Sequence, residues 1–219
     1  MTEINSKTID NECDKIYAIC TNPLSIAQTA FDVIEDIVEY ANKRGFDIWM
    51  DQFPCREIFT RRISWSIPSK KAIRRISDVI PKTNTILSLG SGQGFWELIM
   101  KLSHINVIAT DPKDYDPSNP PFTPILKLNA TDAVIAYPSC DALFINWPTY
   151  QASWAADALT IFTGSTVIYI GEDCTADDKF REIIDKNWNQ EQYPLDNWQG
   201  IHDKLFICHR KTTISYDSD

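Results

Sequence analysis

The chain has 219 residues, 43% of them apolar, and a formal net charge of -9. That length suits one α/β domain of ordinary size with an amino-terminal extension, and the apolar share is that of a globular chain. The charge excludes a protein whose whole surface grips nucleic acid, no apolar run nears the roughly twenty residues that cross a bilayer, and Met1-Thr2-Glu3-Ile4-Asn5 lacks the pattern of a secretory leader, so a soluble cytoplasmic protein is expected.

Residues 1 to 22 are polar and poorly periodic, which predicts a loose tail. From position 23, Ile26, Ala27, Ala30, Phe31, Ile34, Ile37, Val38 and Ala41 recur at helical spacing, with Asp32, Glu35, Asp36, Glu39 and Lys43 on the other face and Gly45 at the end. Residues 46 to 60 are aromatic and irregular. Positions 56 to 75 then carry Arg56, Arg61, Arg62, Lys70, Lys71, Arg74 and Arg75 against the single acid Glu57. Such a segment either receives a phosphate-bearing partner, nucleic acid included, or is a solvated helix face balancing the acidic remainder. Pro68 suits the first turn of a helix that ends near Ile80.

The next segment alternates strand and helix. Residues 85 to 89 read as a buried strand, Gly90-Ser91-Gly92-Gln93-Gly94 as a turn, 92 to 103 as a helix, and 106 to 110 as a second strand ending on Asp111. A strand that turns directly into a helix needs backbone room, and glycines there let a ligand approach the main chain. The dinucleotide pattern G-x-G-x-x-G would need a third glycine at residue 95, which is Phe95, so the spacing here is G-x-G-x-G. Pro112, Pro117, Pro120, Pro121 and Pro124 make the following connection an irregular loop. Strands are predicted at 125 to 128, 141 to 147, 165 to 171 and 204 to 210, with helices at 150 to 163 and 175 to 188. This order implies a mostly parallel sheet buried on both faces. The cysteines Cys13, Cys20, Cys55, Cys140, Cys174 and Cys208 form no C-x-x-C pair and do not combine with the histidines at metal-ligand spacing, so reduced thiols and no metal are expected.

The segment from Thr85 to Asp111 resembles motif I of the class I S-adenosylmethionine-dependent methyltransferases, and the resemblance covers about residues 82 to 210. It implies a Rossmann-like α/β fold: a mostly parallel seven-stranded sheet flanked by helices, with the last strand antiparallel. Residues 1 to 81 would form a helical extension or lid and residues 82 to 219 the catalytic domain. It further implies that Gly90, Ser91, Gly92 and Gly94 lie against S-adenosyl-L-methionine and that Asp111 clamps the ribose. Asp132 would accept from the adenine amino group, although an acid near a helix start is also an ordinary cap. Ser88 stands where the family usually has an acid two residues before the first glycine.

Asn146-Trp147-Pro148-Thr149-Tyr150 is similar to the N/D-P-P-Y/F motif of amino-group methyltransferases, with Trp147 in place of the first proline and Tyr150 one position late. By that likeness Asn146 and Pro148 orient a target nitrogen and Tyr150 lies near it. Acceptors that aim an NH group bring their benefit as positioning. Trp65 and Trp147 either stack on a planar substrate or simply pack. The resulting expectation is an enzyme that methylates nitrogen on a nucleic acid, a nucleotide or a protein; a catalytically silent module of the same fold is the alternative. His202 and Asp203 read as structural or turn residues, and no G-x-S-x-G elbow supports a hydrolase.

Overall fold

The computed structural model describes residue 60 and residues 63 to 118, 120 to 198 and 200 to 212. The helix expected after position 23, and Arg56, Arg61 and Arg62, lie outside the described residues. Five helices and six strands are described: α1 (Lys70–Val79), β1 (Thr85–Leu89), α2 (Phe95–Leu102), β2 (Asn106–Thr110), α3 (Ala130–Ala136), β3 (Ala142–Asn146), α4 (Trp154–Ile161), β4 (Thr166–Gly171), α5 (Asp178–Asn187), β5 (Trp188–Pro194) and β6 (Lys204–Arg210). The sheet order is β2-β1-β3-β4-β6-β5. The first four of these strands are parallel, and β6 runs antiparallel between β4 and β5. From β1 the chain steps to β2 on one side and returns to β3 on the other, a switch point that opens a crevice beyond the strands' carboxyl ends. The fold is Rossmann-like.

Side-chain alternation sorts the strands between two layers. Ile86, Phe144, Ile168 and Ile207 face a core shared with α1 and α2, while Leu87, Leu89, Leu143, Ile145 and Val167 face one shared with α3, α4 and α5. Ile63, Ile67, Ile73 and Ile76 belong to the first layer, so the described part of the extension packs on the sheet. Three of the five described helices start at side-chain caps. The Ser69 hydroxyl accepts from the Ala72 amide at 3.1 Å, which moves the start of α1 to Lys70, two residues past Pro68. Asn129 and Asp177 cap α3 and α5 in the same way.

Two strand expectations need correction. Among the described residues the sheet has six strands, not seven, because residues 125 to 128 contribute only one bridge, Thr110 to Leu126. Pro124 can donate no ladder bond, and the Leu128 amide turns back onto the Leu126 carbonyl at 2.9 Å, so pairing stops after one residue. Conversely, β5 was not legible. Its residues Asn189, Gln190, Glu191 and Gln192 are all exposed on an edge, so no apolar alternation announces it. Among the described residues, no helix is long and apolar enough to cross a membrane.

Candidate functional site

A hollow of about 230 Å³ opens at the carboxyl ends of β1 and β3, with Trp65, Gly90, Ser91, Gly92, Lys113 and Asn146 among the residues that line it. Its floor is the glycine turn. The Ser91 amide donates to the Thr110 carbonyl at 2.9 Å and the Ser91 hydroxyl accepts from the Thr110 amide at 3.1 Å, tying the turn to the end of β2. Asp111 completes the tie: its Oδ2 accepts from the Gly92 amide at 2.9 Å and its Oδ1 from the Lys113 amide at 3.0 Å. The Tyr115 hydroxyl donates to the Gly92 carbonyl at 2.5 Å. Burial, then the Asp111 charge, raise the Tyr115 phenol far above the ordinary tyrosine range, so it remains a donor.

The glycines do different things. Gly92 has φ 59°, and a Cβ built on it would meet nothing within 4 Å, so its bare backbone faces open space. Gly94, at φ 76°, is needed for packing: a Cβ there would lie 2.9 Å from Thr123 Cγ2 and 3.0 Å from Ile125 Cδ1.

Below the turn lies an acid that sequence reasoning missed. By alternation Ser88 points toward α2, where Glu97 occupies the first turn. The Ser88 hydroxyl donates to Glu97 Oε1 at 2.5 Å, and the Ser91 hydroxyl donates to Ser88 Oγ at 3.1 Å. Glu97 is buried and its Oε2 has no hydrogen-bond partner among the described residues. Burial raises the Glu97 carboxyl above its ordinary value, opposed by the Ser88 hydrogen bond. A carboxyl group is therefore present beside Ser88, supplied from nine residues later rather than from the strand. The sequence signal was an acid in the first turn of the helix after the glycines.

The opposite wall is held by distant contacts. Ser66, fully buried, accepts from the Trp96 indole N–H at 3.0 Å and donates to Asn146 Oδ1 at 2.7 Å. Asn146 Nδ2 donates to Ser64 Oγ at 3.2 Å. Because the Trp96 N–H occupies the Ser66 oxygen as an acceptor, the hydroxyl proton is directed to Asn146, which fixes the amide's orientation. Trp147 has φ 51°, a conformation strained for a bulky residue, and packs on the α1–α2 side instead of alternating away. It is held by its indole N–H donating to Asp203 Oδ1 at 2.7 Å and by its amide donating to the Ile170 carbonyl at 2.8 Å. The half-exposed Trp65 stacks on it, ring centroids 5.3 Å apart and planes 20° apart.

The hollow thus brings together Gly90, Ser91, Gly92, Asn146 and Trp65, with Asp111 and Trp147 one contact behind. The other candidates stand outside its lining. Asp132 is exposed in the cap of α3, where Asn129 Nδ2 donates to its Oδ2 at 2.7 Å; its Oδ1 has no protein partner among the described residues. The Pro148 carbonyl accepts from the Ala176 amide at 3.1 Å, tying the motif to the turn after β4. Tyr150 is exposed, and its hydroxyl accepts from Gln151 Nε2 at 3.2 Å. Asp203 is buried and anchors Trp147, so of the structural and turn roles open to it in the sequence it takes the structural one.

No protein-family model matches the sequence, and no curated protein matches it. Solved structures with a similar fold include a TehB-like SAM-dependent methyltransferase from Corynebacterium glutamicum, 17% identical, TM-score 0.47, covering 64% of this chain and 87% of that one. The tRNA methyltransferase TrmK of B. subtilis is 14% identical with a TM-score of 0.47, over 67% of this chain and 68% of its own. A Streptococcus mutans protein in complex with SAH is 12% identical with a TM-score of 0.43, over 65% and 96%. At TM-scores below 0.5 these likenesses decide nothing about the site, whose chemistry has to be read from its own residues.

Proposed function

We propose that this chain is an S-adenosylmethionine-dependent methyltransferase that acts on a nitrogen acceptor of a nucleic acid or nucleotide. The observation that carries the reading is the open space above the Gly92 backbone, in a hollow that also holds the Asn146 amide. S-adenosylmethionine, when bound, supplies an electrophilic methyl group on a sulfonium. The residues suited to hold it are Gly90, Ser91 and Gly92, with Gly94 shaping the turn. The fit is supported by the positive-φ Gly92, whose exposed main chain a side chain would cover, and by the Asp111 carboxylate at the end of β2. The carboxylate oxygens keep lone pairs beyond the two loop amides they already accept, and ribose hydroxyls are suitable donors to them. Asp132 Oδ1 is offered as the adenine acceptor. The hollow lies below the roughly 300 Å³ at which ligand pockets usually begin, so binding would require its lining to open.

On the acceptor side, Asn146 Oδ1 accepts one hydrogen bond from Ser66 and has a second lone pair for an amino hydrogen of the substrate. Holding that hydrogen aims the nitrogen lone pair toward the cofactor side, a positional gain that needs no strong base. The exposed Trp65, backed by Trp147, offers a face for a planar base; Pro148 shapes the turn and Tyr150 borders the substrate. The partner supported is a nucleic acid met by the basic residues between Arg56 and Arg75.

Calorimetry with S-adenosylmethionine and SAH, followed by labelled-methyl transfer into extracts separated into RNA, DNA and protein, tests this. Label in a nucleic acid fraction, lost in Asn146→Ala, is expected; label in protein would reject the acceptor, and failure of both ligands to bind would reject the whole reading. One observation favours a silent module instead: the Asn146 amide is bonded at both ends by Ser64 and Ser66. Cofactor binding with no transfer to any fraction would select it.

A further inference from the structure

A second hollow, of about 450 Å³, lies between α1 and the end of β5, walled by Lys70, Lys71, Arg74 and Arg75 on one side and Tyr193 and Leu195 on the other. It opens at the crevice end of the sheet. β5 pairs antiparallel with β6, itself antiparallel to β4, so Tyr193 near its end lies at the same rim as the carboxyl end of β4. Three residues separate Lys70 from Ser66, which touches Asn146.

The spacing of these charges does not favour α1 as a helix. Lys70 with Arg74, and Lys71 with Arg75, are like-charge pairs four residues apart, an unfavourable spacing on a helix surface. All four cations fill the first six positions of a ten-residue helix that has no acid in its first turn, where the macrodipole disfavours positive charge. Lys71 and Arg74 are exposed and have no salt-bridge partner among the described residues. Asp78, also in the wall, is one acid against four bases. The Arg75 guanidinium sits over the Tyr193 ring at 4.9 Å, and the Tyr193 hydroxyl bonds Glu191, so the far wall offers an aromatic surface with a cation on it. Four basic residues spread over about 8 Å of helix and facing an aromatic wall suit a strand that alternates phosphates with planar bases. A phosphorylated peptide has no use for the aromatic wall.

We propose that this groove is the docking track of a single-stranded nucleic acid, its phosphates paired with α1 and a base stacked at Arg75 and Tyr193, and that it feeds the strand into the crevice. The inference deepens the acceptor reading above and rests on it for what happens in the crevice, but docking itself requires no transfer.

Fluorescence anisotropy of the full chain with labelled 20-nucleotide single-stranded RNA and DNA, at 50 and 200 mM KCl, tests it. With three phosphate contacts, affinity should fall about 20-fold between the two salts. The double variant Lys71→Glu, Arg74→Glu should bind at least tenfold more weakly with a shallower salt slope, yet melt close to the parent's temperature, because an acid at position 71 suits the first turn and both substitutions turn like-charge pairs four residues apart into opposite-charge ones. Tyr193→Leu should weaken binding severalfold without changing the slope. RNA favoured over DNA, or the reverse, identifies the sugar. No binding by the parent chain, undiminished binding by the double variant, or a phosphopeptide binding as tightly as the oligonucleotides would overturn the proposal. SAH calorimetry on the same variants separates the two readings: retained SAH binding with no oligonucleotide binding removes the groove alone, whereas oligonucleotide binding without SAH binding removes the cofactor reading alone.

Discussion

The two walls of the crevice are held by different means. On the glycine side the contacts are short in sequence: Asp111 reaches Gly92 over 19 residues and Lys113 over two, and Ser91 reaches Thr110 over 19. On the acceptor side they are long: Ser66 to Asn146 spans 80 residues, Ser64 to Asn146 spans 82, and Trp147 to Asp203 spans 56. The first wall is shaped by a strand-turn-helix unit that builds most of itself. The second exists only once the segment before α1, the end of β3 and the start of β6 have met, so it depends on the whole fold.

The largest effect expected on this contrast comes from Asp111→Ala. Two backbone amides, of Gly92 and Lys113, would lose their part-buried bonds to a charged acceptor. A hydrogen bond to a charged group contributes about 1.5–3 kcal/mol, so thermal denaturation should reveal a clear loss of stability, and SAH affinity should fall by about tenfold or more. Asp111→Asn keeps the acceptor with one oxygen and should recover part of the melting temperature; equal damage from both would show that charge, not loop bonding, dominates.

The glycines sharpen the comparison within one wall. Alanine at either Gly92 or Gly94 must adopt a left-handed backbone, at about 1–2 kcal/mol. Only Gly94→Ala also drives a methyl into Thr123 and Ile125, so it should be the less stable of the two by denaturant titration. Gly92→Ala should remain the better folded protein and yet bind SAH more weakly, because its methyl enters the open space. The opposite ranking in binding would mean that no ligand approaches Gly92.

The same contrast explains what could be read from the chain alone. Glycine spacing, apolar runs and Asp111 are local patterns, and they led to the parallel sheet and the turn. The reading failed where the signal was tertiary or absent. The polar residues of β5 gain their partner only when β6 arrives, and the strand expected at 125 to 128 was cut short by its own backbone turn. Ser88 looked like a missing acid because Glu97, on the next helix, returns to it only through the strand's side-chain parity. Asn146 was legible as a motif residue, whereas Ser64, Trp96 and Asp203, which hold that wall, carry no mark in their neighbours.

Glu97 joins the walls, since α2 carries it under the glycine turn and carries Trp96 toward Ser66. Its raised carboxyl holds a proton more tightly folded than unfolded, so the folded state is favoured most at low pH and loses that advantage as pH rises above the ordinary glutamate value. Melting temperature measured from pH 4 to pH 8 should therefore decline less in Glu97→Gln than in the parent. Parallel curves would place the titrating group elsewhere. The glutamine also keeps an acceptor for the Ser88 hydroxyl, so any loss common to all pH values reads as packing alone.

The smallest expected effect on cofactor binding comes from the relay on the acceptor wall. Ser66→Ala removes one oxygen from a site where the Trp96 N–H and Asn146 Oδ1 both depend on it, and leaves the buried indole N–H without its acceptor. A destabilisation of about 1–3 kcal/mol follows from that donor. Asn146 would then be held by Ser64 alone, losing the part of its orientation that the Ser66 hydroxyl proton fixes. SAH binding should hold while methyl transfer weakens, and Ser66→Thr, which keeps the hydroxyl, should restore part of the transfer. If SAH binding and transfer fell together, the walls would not be separable, and the crevice would have to be treated as one cooperative unit, not as a self-built turn facing an assembled acceptor wall.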